Sequence, residues 1–283
     1  MRNWDTTQAA WKTRWMITKT SLAERLAYRG DFALGTLMRF LPIITQIFLW
    51  WAIFQSLSPE DPNAGRLSGY SFQDMVAYYL LTMVGRAFSS MPGLSSSIAL
   101  KIRDGEIKRY LVQPIELLSF LFWSRVAHKM AYYIVAIVPF ALVFFLCRGF
   151  FVNGWPDAIT LLCFAVSLLL SFCLGFYLEA CLGLVGFWML EVSSLLFVYM
   201  LVQFFLSGHM FPLDLLPEPF ATLVGLLPIK YLAYFPAAVF LGKIQGSTLA
   251  FEMGMLALWT GFFFLASRWL YRRGLERYSG FGG

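Results

Sequence analysis

The sequence is short of charge. Only 13% of its 283 residues are Asp, Glu, Lys or Arg, against about 25% in a soluble domain. That excludes a disordered chain, a collagen-like repeat and an ordinary soluble enzyme. Cysteine is scarce as well. Cys147, Cys163, Cys173 and Cys181 all lie in or beside apolar runs, and none pairs up in a polar loop. They read as small hydrophobes, not disulfides or metal ligands. No Gly-x-x-x-x-Gly-Lys-Ser/Thr phosphate loop occurs, so the chain does not bind ATP by that route. His-Glu-x-x-His and Gly-x-Ser-x-Gly are missing too, which removes support for zinc or serine hydrolase chemistry. No internal repeat relates the two halves, which weakens an inverted-repeat secondary transporter. No cleavable signal peptide is visible, because the N-terminal stretch is polar and lacks a short apolar core.

What is present is apolar surface. Hydrophobic residues make up 59% of the chain, and mean hydropathy is +0.66. A net charge of +6 is small beside that content and does not suggest nucleic acid. One helical crossing takes about 20 apolar residues, so the length suits an all-α polytopic membrane protein of about six crossings. The expected spans are 34–57, 75–98, 131–147, 158–178, 184–206 and 248–270. Arg39 near the start of the first can snorkel to the interface. The turn formers Ser58 to Gly65 follow it.

Residues 1–30 are not a span. Trp4, Trp11, Trp15, Thr18, Leu22 and Leu26 recur on one helical face, and Lys12, Arg14, Lys19 and Arg25 occupy the others. This predicts an interfacial amphipathic helix on the side of anionic headgroups, ahead of a permease domain over 31–283.

Orientation follows from the basic residues. Arg2, Lys12, Arg14, Lys19, Arg25 and Arg29 precede the first span. Lys101, Arg103, Lys108, Arg109, Arg125 and Lys129 fall in segment 99–129, and Arg268, Arg272, Arg273 and Arg277 close the chain. The alternate loops hold only Arg66, Arg148, Lys230 and Lys243. Both termini are therefore expected in the cytoplasm.

Three groups of residues could carry function. The first is the run Ile102 to Pro114. Asp104 is placed to cap a helix start, Pro114 to end it, and Ile107, Tyr110 and Leu111 form an apolar stripe at i, i+3, i+4. Such a helix docks in a partner's groove or lies on the bilayer. The second is segment 207–247, which is expected outside yet is apolar and broken by Pro212, Pro217, Pro219 and Pro228. It reads as short helices dipping into the outer leaflet, either an exit gate or a passive plug. The third comprises ionisable groups in or near spans: Arg86, Glu179, Glu191, His209 and Glu252. Glu179 and Glu191 bracket the turn between spans four and five and read as interfacial caps, whereas Arg86 lies deeper. His209 has no second His nearby, which favours a hydrogen-bonded structural role.

Several stretches together resemble the membrane subunit of bacterial ABC exporters of the ABC-2 type, without a fused ATPase. They are Ala23 to Phe32, Ile102 to Pro114, Gly186 to Val192, Phe204 to Pro217, Tyr234 to Ala237, and Arg272 to Tyr278. The resemblance implies a multi-pass subunit of the bacterial inner membrane. It would pair with a second permease, identical or homologous, and with two copies of a separate ATPase that holds the ATP and Mg. It implies that the 1–30 helix is an interfacial elbow. Asp104, Gly105, Glu106, Ile107, Tyr110 and Leu111 would be the ATPase-coupling residues, and Phe211, Pro212, Leu213 and Asp214 part of the outer gate. No catalytic, cofactor or metal site is implied in the chain, and the substrate, expected to be amphiphilic, is not fixed. An ATP-independent channel or secondary transporter with Arg86 and Glu252 as a charged relay is the alternative, and a membrane scaffold without transport is a third reading.

Overall fold

The computed structural model describes residues 7–27, 38, 41–58, 65–113, 115–152, 154–189 and 191–278. Trp4, Arg29 to Phe32, Arg39, most of the turn 58–65, Pro114 and Leu190 lie outside the described residues, as do the side chains of Arg25 and Leu26. Among the described residues the regular structure is helical, with one isolated bridge between Leu67 and Tyr70. It is an all-α polytopic membrane protein.

α1 (Thr7–Ala27) lies along the start of α6 (Leu117–Leu146). Trp11 meets Trp123 edge to face at 6.0 Å, and Thr18 is buried in the contact. Trp15 and Met16 stay exposed. α2 (Leu41–Leu57) packs on α3 (Phe72–Ser89). α3 starts at a capping box: Asp74 N–H donates to Ser71 Oγ at 3.1 Å, and Ser71 N–H to Asp74 at 3.3 Å.

The expected second span is broken. α3 ends at Ser89, and α4 (Leu94–Arg103) begins after a turn with Pro92 and a left-handed Gly93 (φ 68°). In lipid, the carbonyls freed by such a break need a donor. Lys129 of α6 supplies it, donating to Ala87 O at 2.5 Å and Ser90 O at 2.6 Å. Lys129 and Arg125 therefore belong to α6, not to the basic loop, and α6 begins fourteen residues earlier than the hydropathy predicts. The reason is periodicity. Arg125 and Lys129 are four apart and share one face of α6, so the other faces stay apolar.

α7 (Ala158–Leu184), started by Asp157 accepting from Ile159 and Thr160 N–H, is the hub. It packs on α3, α4, α10 (Tyr234–Phe240) and α11 (Gly246–Arg277). Glycine makes these contacts close. A Cβ at Gly183 would stand 2.6 Å from Ser95 O, and one at Gly175 would run into Ser89 O. Small residues let helix backbones meet where there is no hydrophobic drive between helices.

The fifth expected span also splits. After the tight turn Val185–Phe187 the chain breaks, α8 spans only Ser193–Leu206, and the short α9 (Phe220–Leu226) follows it. At 1.5 Å per residue α8 is about 21 Å long, short of a hydrocarbon core of about 30 Å. Among the described residues, three helical stretches are long and apolar enough to cross by themselves: Leu117–Leu146, Ala158–Phe187 and Gly246–Arg277.

Candidate functional site

α5 (Ile107–Val112) is the short helix of the first candidate site. It sits at the end of the bundle where α4 and α11 finish and α6 begins; Ile107, Ile102, Leu117, Leu118 and Tyr271 share one core. Asp104 does not start this helix. It closes α4, its N–H donating to Leu100 O at 2.8 Å, while its carboxylate pairs with Arg103 at 3.2 Å. Only two residues separate it from α5, and Gly105 turns the chain with φ 77°, a conformation that costs glycine nothing. Glu106 pairs with Lys101 at 2.8 Å, and that hydrogen bond from the ammonium holds its carboxyl below the ordinary carboxylate range.

Two of the three residues of the apolar stripe of α5 face inward. Ile107 is 0% exposed, and Tyr110 packs on Phe120 at 5.6 Å with Lys101 over its ring. These side chains anchor the helix to its own subunit. What projects is Leu111 at 51% exposure and Val112 at 85%, flanked by exposed Lys108 and Arg109. The sequence pattern located the helix and misassigned its face: Ile107 and Tyr110 are a pedestal, while Leu111 and the unpredicted Val112 form the free tip.

The turn after α7 joins the same end. Phe187 lies on Gly274 of α11 and edge to face with Tyr278. A Cβ at Gly274 would run into the Phe187 ring. Trp188 and Met189 beside it are exposed. Glu191 accepts from Ser193 N–H at 2.9 Å and from its hydroxyl, which lowers its carboxyl affinity for protons and satisfies one N–H at the start of α8. Glu191 thus sits at a helix start, beside the N-cap residue Val192. Glu179 does not. It is buried within α7, which continues to Leu184, and its partner is Ser95 Oγ of α4 at 3.5 Å.

The second site lies within the bundle. A cavity of about 670 Å³ opens between α2, α3, α6 and the end of α8. Ile43, Met83, Phe140 and Phe204 line it, with Gln46, Tyr79, Arg86 and His209 as polar groups. Arg86 donates to His209 Nε2. A guanidinium has no acceptor, so the imidazole accepts at Nε2. Residues 123 positions apart in sequence thereby meet on one wall. Cavities of this size with a few convergent polar groups are common small-molecule sites (about 300–1,000 Å³).

The third site is the opposite end. Asp214 accepts Tyr70 Oη–H and Tyr234 Oη–H, each at 2.7 Å. Tyr78 donates to Gly208 O. Lys243 binds Gly69 O at 2.9 Å and Asp74 at 3.0 Å. Leu213 is buried, as is Pro212, and Phe211 is half-buried. Glu252 of α11 accepts from Lys230 and, at 2.5 Å, from Tyr231. Arg86 and Glu252 therefore serve different partners, which removes the geometric basis for a relay between them.

Sequence reasoning missed Lys129, Tyr70, Tyr78, Tyr234 and Lys230. Lys230 and Lys129 were visible as cations in apolar surroundings, a signal for buried pairing. The tyrosines carried no local signal, because their acceptors lie far along the chain.

The family model described as "ABC-2 family transporter protein" matches residues 40–282. No curated protein matches the chain significantly.

Proposed function

The chain belongs to the ABC-2 transporter family and is a membrane component of an ABC transporter, and from that premise we propose that it is the permease subunit of an exporter. In this reading it pairs with a second permease, identical or homologous, and two copies of a separate ATPase drive it from the cytoplasm of the bacterial cell. The observation that carries the reading is the tip of α5. Leu111 and Val112 are exposed on a helix whose other face is locked into the bundle through Ile107 and Tyr110. A rigid pedestal with an apolar tip and a basic flank fits a groove in a partner. It also transmits displacement, because α4 connects α5 directly to the turn at Ser90 and Pro92, which line the intramembrane cavity. That cavity, apolar with one Arg–His wall, is the proposed path of an amphiphilic substrate.

Linkage sets the requirement. Nucleotide can drive the permease between states only if the α5 contacts differ between those states. The test is co-purification with the ATPase followed by reconstituted ATP turnover. The double variant Leu111→Asp with Val112→Asp is expected to keep the thermal transition of the isolated chain. Its ATPase association should fall by about tenfold or more, the loss of roughly 1.4 kcal/mol or more at an apolar contact. Unchanged association and turnover would overturn the assignment. Ile107→Asp is the contrasting variant, expected to destabilise the chain itself.

A further inference from the structure

Near the far end of α6, away from α5, two cavities share Phe151, Gly154 and Phe240. One is mixed, with the polar groups of Asp74, Asp157, Thr160, Lys243 and Gln245 beside Phe150, Val152, Pro156 and Leu241. The other, of about 430 Å³, is an aromatic cup formed by Phe144, Phe151, Trp155 and Phe240, with Arg148 at its edge. The rings are arranged as a wall. Phe144 stacks on Phe151 at 5.8 Å, and Phe240 meets Phe151 at 6.0 Å and Trp155 at 6.2 Å, both edge to face. Trp155 is 83% exposed and Arg148 is exposed as well.

The change from a half-polar pocket to a mostly apolar cup across three shared residues fits the level where water meets hydrocarbon. Tryptophan collects at that depth. Arg148 follows directly on the last turn of α6, and its guanidinium lies 4.5 Å from the Phe145 ring centre. It forms no ion pair among the described residues. The nearby carboxylates are engaged: Asp74 with Lys243, and Asp157 with the first N–H groups of α7. A planar cation stacked on an aromatic ring keeps its fork of donors free to bind a phosphate in bidentate fashion.

We propose that this cup is a phospholipid site, in which an acyl chain fills the aromatic wall and the phosphodiester lies on Arg148. The occupant is a membrane lipid rather than a protein segment, because the cup combines an apolar wall with one cation at an interfacial depth. The site is distinct from the proposed substrate path, and its test needs no ATPase partner. A failure of the coupling assignment therefore leaves it standing.

The experiment is native mass spectrometry of the purified chain after exchange into detergent with phosphatidylglycerol. Diacylglycerol of the same chains serves as the twin without phosphate. The wild-type chain is expected to retain phosphatidylglycerol strongly and diacylglycerol weakly. Arg148→Ala should cut retention about tenfold, the size of one charge-assisted contact, and Arg148→Lys should keep part of it. Trp155→Ala should lower retention of both lipids, and Arg66→Ala should change nothing. Equal retention by Arg148→Ala and wild type, or equal retention of the two lipids, would overturn the proposal. Both Arg148 variants are exposed substitutions, and an unchanged thermal transition in either suffices to read the result.

Discussion

The two ends of the bundle are built on opposite principles. At the α10 end, polar groups are paired across long stretches of sequence. Tyr70 and Tyr234 hold Asp214, Lys243 holds Asp74, and Lys230 with Tyr231 holds Glu252. At the α5 end, most of the ion pairs among the described residues join near neighbours in sequence: Lys101 with Glu106, Arg103 with Asp104, and Arg273 with Glu276. Arg268 with Glu116 is the long-range exception, at 2.6 Å. A self-contained network costs stability when one member is lost, because its partner is left without a mate. Exposed neighbour pairs contribute little, from about 0 to 1 kcal/mol. The α10 end is thus braced from within, whereas the α5 end keeps its apolar tip and its basic side chains for something else.

The sharpest way to break that contrast is at Glu252. Lys230 and Glu252 are both largely buried side chains at 2.8 Å. Glu252→Ala leaves a buried cation, at a cost of about 3 kcal/mol or more. A large drop in the midpoint of thermal unfolding in detergent is expected, and a shift no greater than that of Asp104→Ala would erase the difference between the ends. Asp214→Ala comes next. It removes the acceptor of two phenols, at about 2 kcal/mol, and should also raise the protease sensitivity of segment 207–219. A variant as resistant as wild type would show that the tyrosines do not hold that segment.

The smallest effect is a matter of pH. Glu106 has its carboxyl lowered by Lys101, so its contribution is present above the unfolded value of about 4.3 and is lost as pH falls through the lower folded value. The group is exposed, so the loss is slight. Glu106→Gln should flatten whatever acid sensitivity the α4–α5 turn shows in hydrogen exchange. An acid response of equal size in the variant would move the titration to another group.

Much of this architecture was legible in residue order. The breaks around Pro212 to Pro219 are local signals that the structure honours, whereas the break at Pro92-Gly93 interrupts a span that hydropathy reads as continuous. The site was legible in outline only. The i, i+3, i+4 pattern of Ile107, Tyr110 and Leu111 announces an amphipathic helix, but a pattern on one helix carries no information about which neighbour covers it. Ile107 goes into the core because Ile102, Leu117 and Tyr271 converge there from three other helices. Similarly, Arg125 and Lys129 pulled down local hydropathy and hid the start of α6. Only the adjoining break in α3 shows why a cation is tolerated at that depth.

What the sequence determined by itself is the solvent and the class. Scarce charge and long apolar runs admit only a helical membrane chain, because each residue's transfer free energy adds locally, whatever its neighbours in space. Only the tertiary structure decided the pairings. Whether Arg86 meets His209 or Glu252, and whether Asp214 is a free gate or a bound acceptor, depends on the rotation and depth of helices far apart in sequence. Those are set by close contacts such as Gly183 on Ser95, whose energies fall off within an ångström and are invisible to composition.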